Sequence, residues 1–462
     1  MKKIINVLLC MGCVLACTAC DAQTTETQEN STIADAITAD ATEETTTKWA
    51  TDDSLIEGEK ELTQAPDGWS IVNLDSVEEY SVTANQETDG NPELSTYSYC
   101  QSENGYYCLE NVGDRYVIYF FDNTTHGYVP LCNRPECTHA DNDCIASFDN
   151  AWGLEYYNGK LYTVVMESEN SGEEVDEKGR VCSSETLKVN LYEISLDGTS
   201  KKAIQCIKTI EKSKDAYNLS RELYFCIHQG YVYYVHYIGH PLESDDIYKN
   251  GKNCLFRVAI GGKETDSECI YAFSKSQVGI PISPIKAYGK YLYFCDRTGN
   301  SWNGQLYRIN TEENSVECLP VTEEILDGVN FWIKEDGIYY IGAENPEEIH
   351  KYLFKDNSQS VAVNLRTLER TADIDLCAVL YDGTYWFDSQ VLNENGEAII
   401  KTSIFNEQFE KLGEIDSSTS YSAGFNIKNI VPVLEGKKAY GWIDKSEFAK
   451  GIFIIHEVES SE

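Results

Sequence analysis

Three thiols and one imidazole fall within thirteen residues: Cys132-Asn133-Arg134-Pro135-Glu136-Cys137-Thr138-His139-Ala140-Asp141-Asn142-Asp143-Cys144. Soft sulfur and neutral nitrogen in that number suit Zn²⁺ or Fe²⁺ in a closed tetrahedral site. With Cys132, Cys137, His139 and Cys144 filling all four positions, no place is left for a reacting water, so such an ion would be structural. The spacing, Cys-x4-Cys-x-His-x4-Cys, departs from the standard zinc knuckle. The competing chemistry is a disulfide among the three thiols with His139 solvated, which an oxidising compartment favours. At the level of sequence both stay open.

Other chemistry finds little support. The chain has no Gly-x-Ser-x-Gly elbow, no His-Glu-x-x-His and no phosphate-cradling glycine loop, so no catalytic residue is assigned. His236 and His240 are the close histidine pair, and on a strand they would stand about 13 Å apart, too far for one metal. Carboxylate pairs such as Glu173-Glu174 and Asp245-Asp246 are common in so acidic a chain and carry no specificity as glycosidase acids. Cys100, Cys108, Cys182, Cys206, Cys226, Cys254, Cys269, Cys295, Cys318 and Cys377 are scattered along expected strands, several beside aromatics, and read as small apolar core filler. Cys100 and Cys108 would face each other across a three-residue loop ending at Gly105, whereas a two-residue loop offsets them. Trp152, Trp302 and Trp386 fall near expected turns or strand ends, where exposed aromatics would suit sugar rings or peptides; most of the 31 tyrosines should pack between sheets.

The elements that must position these residues announce themselves by repetition. An Xaa-Gly turn followed by a Tyr-rich run recurs at Gly105, Gly159, Gly230, Gly289, Gly337, Gly383 and Gly436, at intervals of 54, 71, 59, 48, 46 and 53 residues. Asn-Gly and Asp-Gly turns between β-rich runs are strong hairpin signals. A third strand follows in most copies, as in Leu191–Ile194, Leu255–Val258 and Leu306–Ile309, with looser counterparts at Tyr352–Phe354, Ser403–Phe405 and Ile452–Ile454. A fourth, such as Lys202–Cys206 or Ser315–Leu319, completes a four-stranded unit. Repetition of such units predicts an all-β fold, a single β-propeller of seven four-stranded blades. Trp69–Leu74 is expected to close the last blade. Glu167–Lys188 and Tyr237–Lys252 are expected to be long loops that absorb the surplus length.

The Tyr-rich hairpin followed by Leu-Tyr-x-Ile and Asp-Gly resembles the TolB-like extracytoplasmic propellers of clostridial lipoproteins, over about residues 66–460. That resemblance implies a fold and a cell-surface setting, and Cys-rich inserts with a Pro and a His also accompany it; propellers host binding, scaffolding and catalysis alike.

The N-terminus reads as an address. Lys2 and Lys3 precede an apolar run from Ile4 to Ala16, a secretory signal too short to span a bilayer as a mature helix. Val14-Leu15-Ala16-Cys17 resembles the bacterial lipobox, with Cys17 or Cys20 as the lipidated residue. Residues 1–20 are thus the expected signal and lipobox, 21–65 an acidic Thr/Glu-rich tether with a reach of roughly 35–40 Å, and 66–462 the propeller with its Cys/His insert at 132–144. The net charge of −39 excludes nucleic acid as a partner and argues against adsorption to anionic headgroups. The expected molecule is a monomer held to the outer face of a bacterial, Gram-positive membrane by its lipid alone. It would bind a protein, peptide or glycan, with a possible structural zinc. The alternative is a carbohydrate-active hydrolase or lyase with carboxylates in the central funnel.

Overall fold

The computed structural model describes residues 70–73, 99–102, 104–175, 181–212, 225–238, 252–272, 285–297, 303–328, 330–368, 376–381, 384–392, 398–417, 421–423, 430–435, 438–448, 450, 452–457 and 459–460. Cys17, Cys20, the leader and the tether lie outside them, as do His240, Trp302, Gly383, Gly436 and most of the segment from Tyr237 to Lys252. Among the described residues no helix is long and apolar enough to cross a membrane.

Alternating apolar and polar residues make the strands, and left-handed turn residues pair them. Asn158 and Gly159 (φ 47° and 75°) join Tyr157 to Lys160, and Gln229 and Gly230 (φ 48° and 82°) join His228 to Tyr231. Two consecutive positive φ values give the turn whose twist matches that of the flanking strands. Each hairpin grows into an antiparallel meander, and seven sheets result. The first holds Tyr99–Gln101, Gly105–Val112, Arg115–Asp122 and Gly127–Pro130. The second holds Ala151–Tyr157, Lys160–Val175, Val181–Ser195 and Lys201–Lys212, and the third Phe225–His228, Tyr231–Ile238, Lys252–Ala259 and Glu268–Ala272. The fourth holds Lys286–Tyr288, Tyr291–Arg297, Gly304–Asn310 and Ser315–Cys318, and the fifth Phe331–Lys334, Gly337–Ile341, Glu348–Leu353 and Gln359–Asn364. The sixth holds Leu376–Tyr381, Tyr385–Leu392, Ala398–Phe405 and Lys411–Ser417, and the last Tyr421–Ala423, Ile430–Glu435, Lys438–Asp444 and His456–Glu457.

Each sheet buries its faces against its neighbours, which is the logic of a propeller. Leu109 and Leu161 meet between the first and second sheets, Val164 and Phe256 between the second and third, and Leu255 and Phe294 between the third and fourth. Tyr293 and Tyr340 meet between the fourth and fifth, and Ile349 and Phe387 between the fifth and sixth. The sixth core returns the succession to its start: Trp386 and Ile404 of the sixth sheet pack with Val433 and Ile443 of the last and with Tyr106 and Phe121 of the first. Among the described residues there are six cores, where seven equivalent blades were expected. The propeller has six blades rather than seven, and the last sheet joins the sixth and the first in a single core.

Closure also differs from expectation. Ser70–Asn73, inside the segment assigned to the last blade, instead pairs parallel with Ser315–Cys318 on the outer edge of the fourth sheet. The last sheet takes its fourth strand from His456–Glu457, and Ile452–Ile454 forms no strand. Glu459–Ser460 then pairs parallel with Gly127 and Tyr128 of the first sheet. At this seam the Trp442 indole lies between His126 and His456, with ring centroids 3.9 and 4.1 Å away.

Two smaller expectations fail as well. Glu167–Lys188 is mostly strand, a long hairpin within the second sheet, because Lys160–Val175 and Val181–Ser195 pair over nearly their whole length. Trp386 is 1% exposed and belongs to a core, so it offers no ligand-facing ring.

Candidate metal centre

The insert leaves the first sheet at Pro130 and returns to it as Ser147–Phe148, which pairs with Val117 and Tyr116. Between these points the local sequence dictates two tight turns. Pro135 suits the second position of a turn closed by the Cys137 N–H on the Arg134 carbonyl, 3.1 Å. The Asp141 carboxylate accepts from the Asp143 and Cys144 N–H groups at 3.1 and 3.2 Å and so fixes the approach to Cys144. His139 lies between the turns in the left-handed region, φ 57°.

These turns bring Cys132, Cys137, His139 and Cys144 together, with their ligand atoms all within 4.8 Å of one another. His139 Nδ1 stands 3.2 Å from Cys144 Sγ. A tetrahedral ion with metal–sulfur bonds near 2.3 Å needs sulfurs roughly 3.8 Å apart, so small side-chain rotations would close the cluster on an ion. All three cysteines are free thiols in the structure, as are Cys100 and Cys108.

Electrostatics divide the donors. Burial pushes the Cys144 thiol up to about 12. Burial acts in the same sense on Cys132, but hydrogen bonds from the Arg134 backbone and side chain outweigh it and leave this thiol below its ordinary value. Burial and then the Arg134 charge lower His139, which favours the neutral imidazole that a metal requires.

The support around the cluster comes from both neighbouring sheets. Lys201 of the second sheet donates to the carbonyls of Asn142, Cys144 and Ser147 at 2.9, 2.6 and 2.9 Å. Arg115 of the first sheet reaches Ser147 Oγ and Asn142 Oδ1, both at 2.6 Å, and pairs with Asp149. The Asn133 N–H donates to the Gly198 carbonyl at 3.3 Å. Gly198 has φ 65°, and a Cβ there would lie 2.9 Å from the Leu131 backbone, so the Asp197-Gly198 turn seats directly on the insert.

The other face of that turn lines a cleft of about 290 Å³. Leu196 and Asp197 line it together with Asn104, Asp122 and Thr124 from the first sheet and its turns. Tyr107 and Phe120, stacked with centroids 4.8 Å apart, also line it.

The remaining sequence candidates are not brought to this place. Cys100 lies opposite Tyr107 and Cys108 opposite Tyr99, so the two thiols are offset and point to opposite faces of their hairpin, into different cores. Cys226, Cys254 and Cys295 are buried filler as expected. Sequence reasoning missed Glu155, on the first strand of the second sheet, whose carboxyl is pushed up to about 8 by burial. One glutamate in a chain with 76 acidic residues gives no signal of its own.

Fold and cluster together define an all-β, propeller-like protein with a Cys₃His centre able to hold a metal ion. No protein-family model matches the chain, and no curated protein matches it. Among solved structures it is similar to a prolyl endopeptidase, at 12% identity and a TM-score of 0.41 over 75% of this chain and 46% of that one. It is similar to prolyl oligopeptidase B from Galerina marginata at 11% identity and a TM-score of 0.43, over 77% of this chain and 50% of that one. An uncharacterised protein from Listeria monocytogenes is 9% identical with a TM-score of 0.39, over 84% of this chain and 100% of that one. The chain spans about half the length of the prolyl peptidases it matches.

Proposed function

We propose that this chain is a lipid-anchored, outward-facing propeller that binds a peptide, protein or glycan, with a zinc-class ion as a structural staple of the insert that packs against its first two sheets. The observation that carries the reading is the shared wall: the Asp197-Gly198 turn touches the Cys/His insert on one face and lines the aromatic, acidic cleft with the other. An ion held by four protein donors leaves no reacting position, so its role is to fix that wall. Stacked rings with two carboxylates suit a ligand with an apolar face and hydrogen-bond donors or a positive charge.

Two measurements test this. Metal analysis of chain purified without oxygen should find one zinc-class ion at the cluster, lost in Cys137→Ser. A peptide and glycan array should give binders whose signal falls about tenfold or more in Phe120→Ala. Binders unaffected by Phe120→Ala would remove the cleft from the reading, and a metal content unchanged by Cys137→Ser would remove the staple.

A further inference from the structure

His350, on the third strand of the fifth sheet, is 8% exposed, and its ring stacks on Tyr340 with centroids 5.4 Å apart. Its Nε2 is buried without a hydrogen-bond partner. It lies 3.7 Å from Glu323 Oε1 and 3.7 Å from Glu348 Oε2, within ion-pair but not hydrogen-bond distance of either. A buried polar atom left unpaired is costly, and 3.7 Å is too long for a hydrogen bond. Two bonds near 2.1 Å meeting at the tetrahedral angle hold their donor atoms roughly 3.4 Å apart, so a shift of a few tenths of an ångström would close these separations on a shared ion.

The carboxylates are oriented from behind, as metal ligands are. Glu323 Oε2 accepts from the Glu344 and Asn345 N–H groups at 3.1 and 3.2 Å, and its Oε1 accepts from Asn345 Nδ2 at 2.6 Å. Glu348 Oε1 accepts from Asn364 Nδ2 at 3.2 Å, leaving Oε2 toward the imidazole. Gly342 makes room, since a Cβ there would lie 2.1 Å from Glu323 Oε2. The Glu323 side chain is 9% exposed and that of Glu348 is 26% exposed, so an ion could enter from the Glu348 side and keep water there.

We propose that His350 Nε2, Glu323 Oε1 and Glu348 Oε2 form a second metal site, for a borderline divalent transition ion of the Mn²⁺, Fe²⁺ or Zn²⁺ class. One imidazole and two carboxylates select differently from three thiolates: Mn²⁺ suits this site and not the Cys/His cluster. The site lies in the fifth sheet and does not depend on the binding reading above.

The probe is Mn²⁺ titrated into metal-free full-length chain and followed by electron paramagnetic resonance. One Mn²⁺ per chain is expected, with affinity at least about tenfold weaker in His350→Ala and unchanged in Cys137→Ser. Glu348→Gln, at the partly exposed position, should weaken binding in the same way and keeps the test decisive if His350→Ala fails to fold. Wild-type chain that takes up no Mn²⁺, or Mn²⁺ binding that survives Glu348→Gln at full affinity, overturns the proposal.

Discussion

At the scale of single residues, Glu155 makes the protein's stability depend on pH in an unusual direction. Burial raises its folded value from an ordinary 4.5 to about 8, so between those limits the folded chain holds a proton that the unfolded chain has lost. Stability from this group is therefore full below about 4.5 and declines as pH rises toward about 8. Each unit of difference corresponds to about 1.4 kcal/mol, which makes the effect several kcal/mol at most. Glu155→Gln should be more stable than wild type at pH 8 and little different at pH 4.5, read from urea midpoints at the two values. Lys201→Met should loosen the Cys/His insert by about 1–3 kcal/mol, since three carbonyls lose their shared donor, and should weaken metal uptake in a zinc competition assay. The Cys/His cluster was legible because its four donors are near neighbours in sequence. Glu323 and His350 were not, because they meet only when a loop and a strand of the fifth sheet fold together.

At the scale of elements, the repeated glycine performs two different tasks. Gly159 has φ 75° and open space around it, so it serves the turn itself. Gly105 and Gly337 begin strands instead, and a Cβ would meet the Phe121 carbonyl oxygen at 1.9 Å and the Tyr352 carbonyl oxygen at 2.2 Å. Gly159→Ala should cost about 1 kcal/mol through backbone strain, whereas Gly337→Ala must displace a neighbouring strand and should cost clearly more, measured by thermal unfolding of both variants. The hairpins and most third strands were readable because one face alternates with the other. The Glu167–Lys188 ribbon was not, since Glu167, Ser168 and Glu169 are all exposed and leave no period-two signal.

At the scale of the whole molecule, the described residues join the last and first sheets through a two-residue parallel pairing, a shared core, and the Trp442 ring stacked with two histidines. Trp442→Ala should lower the unfolding temperature and cost about 3 kcal/mol, in the range of large aromatic truncations. Differential scanning calorimetry would read it. Radial repetition was evident from the hairpins, but the closing partners were not, because two- and four-residue strands carry too little pattern to declare a neighbour. The placement of Ser70–Asn73 has a mechanical consequence. A pull applied through the N-terminal segment would first meet the fourth sheet, loading in shear the four residue pairs that join Ser70–Asn73 to Ser315–Cys318.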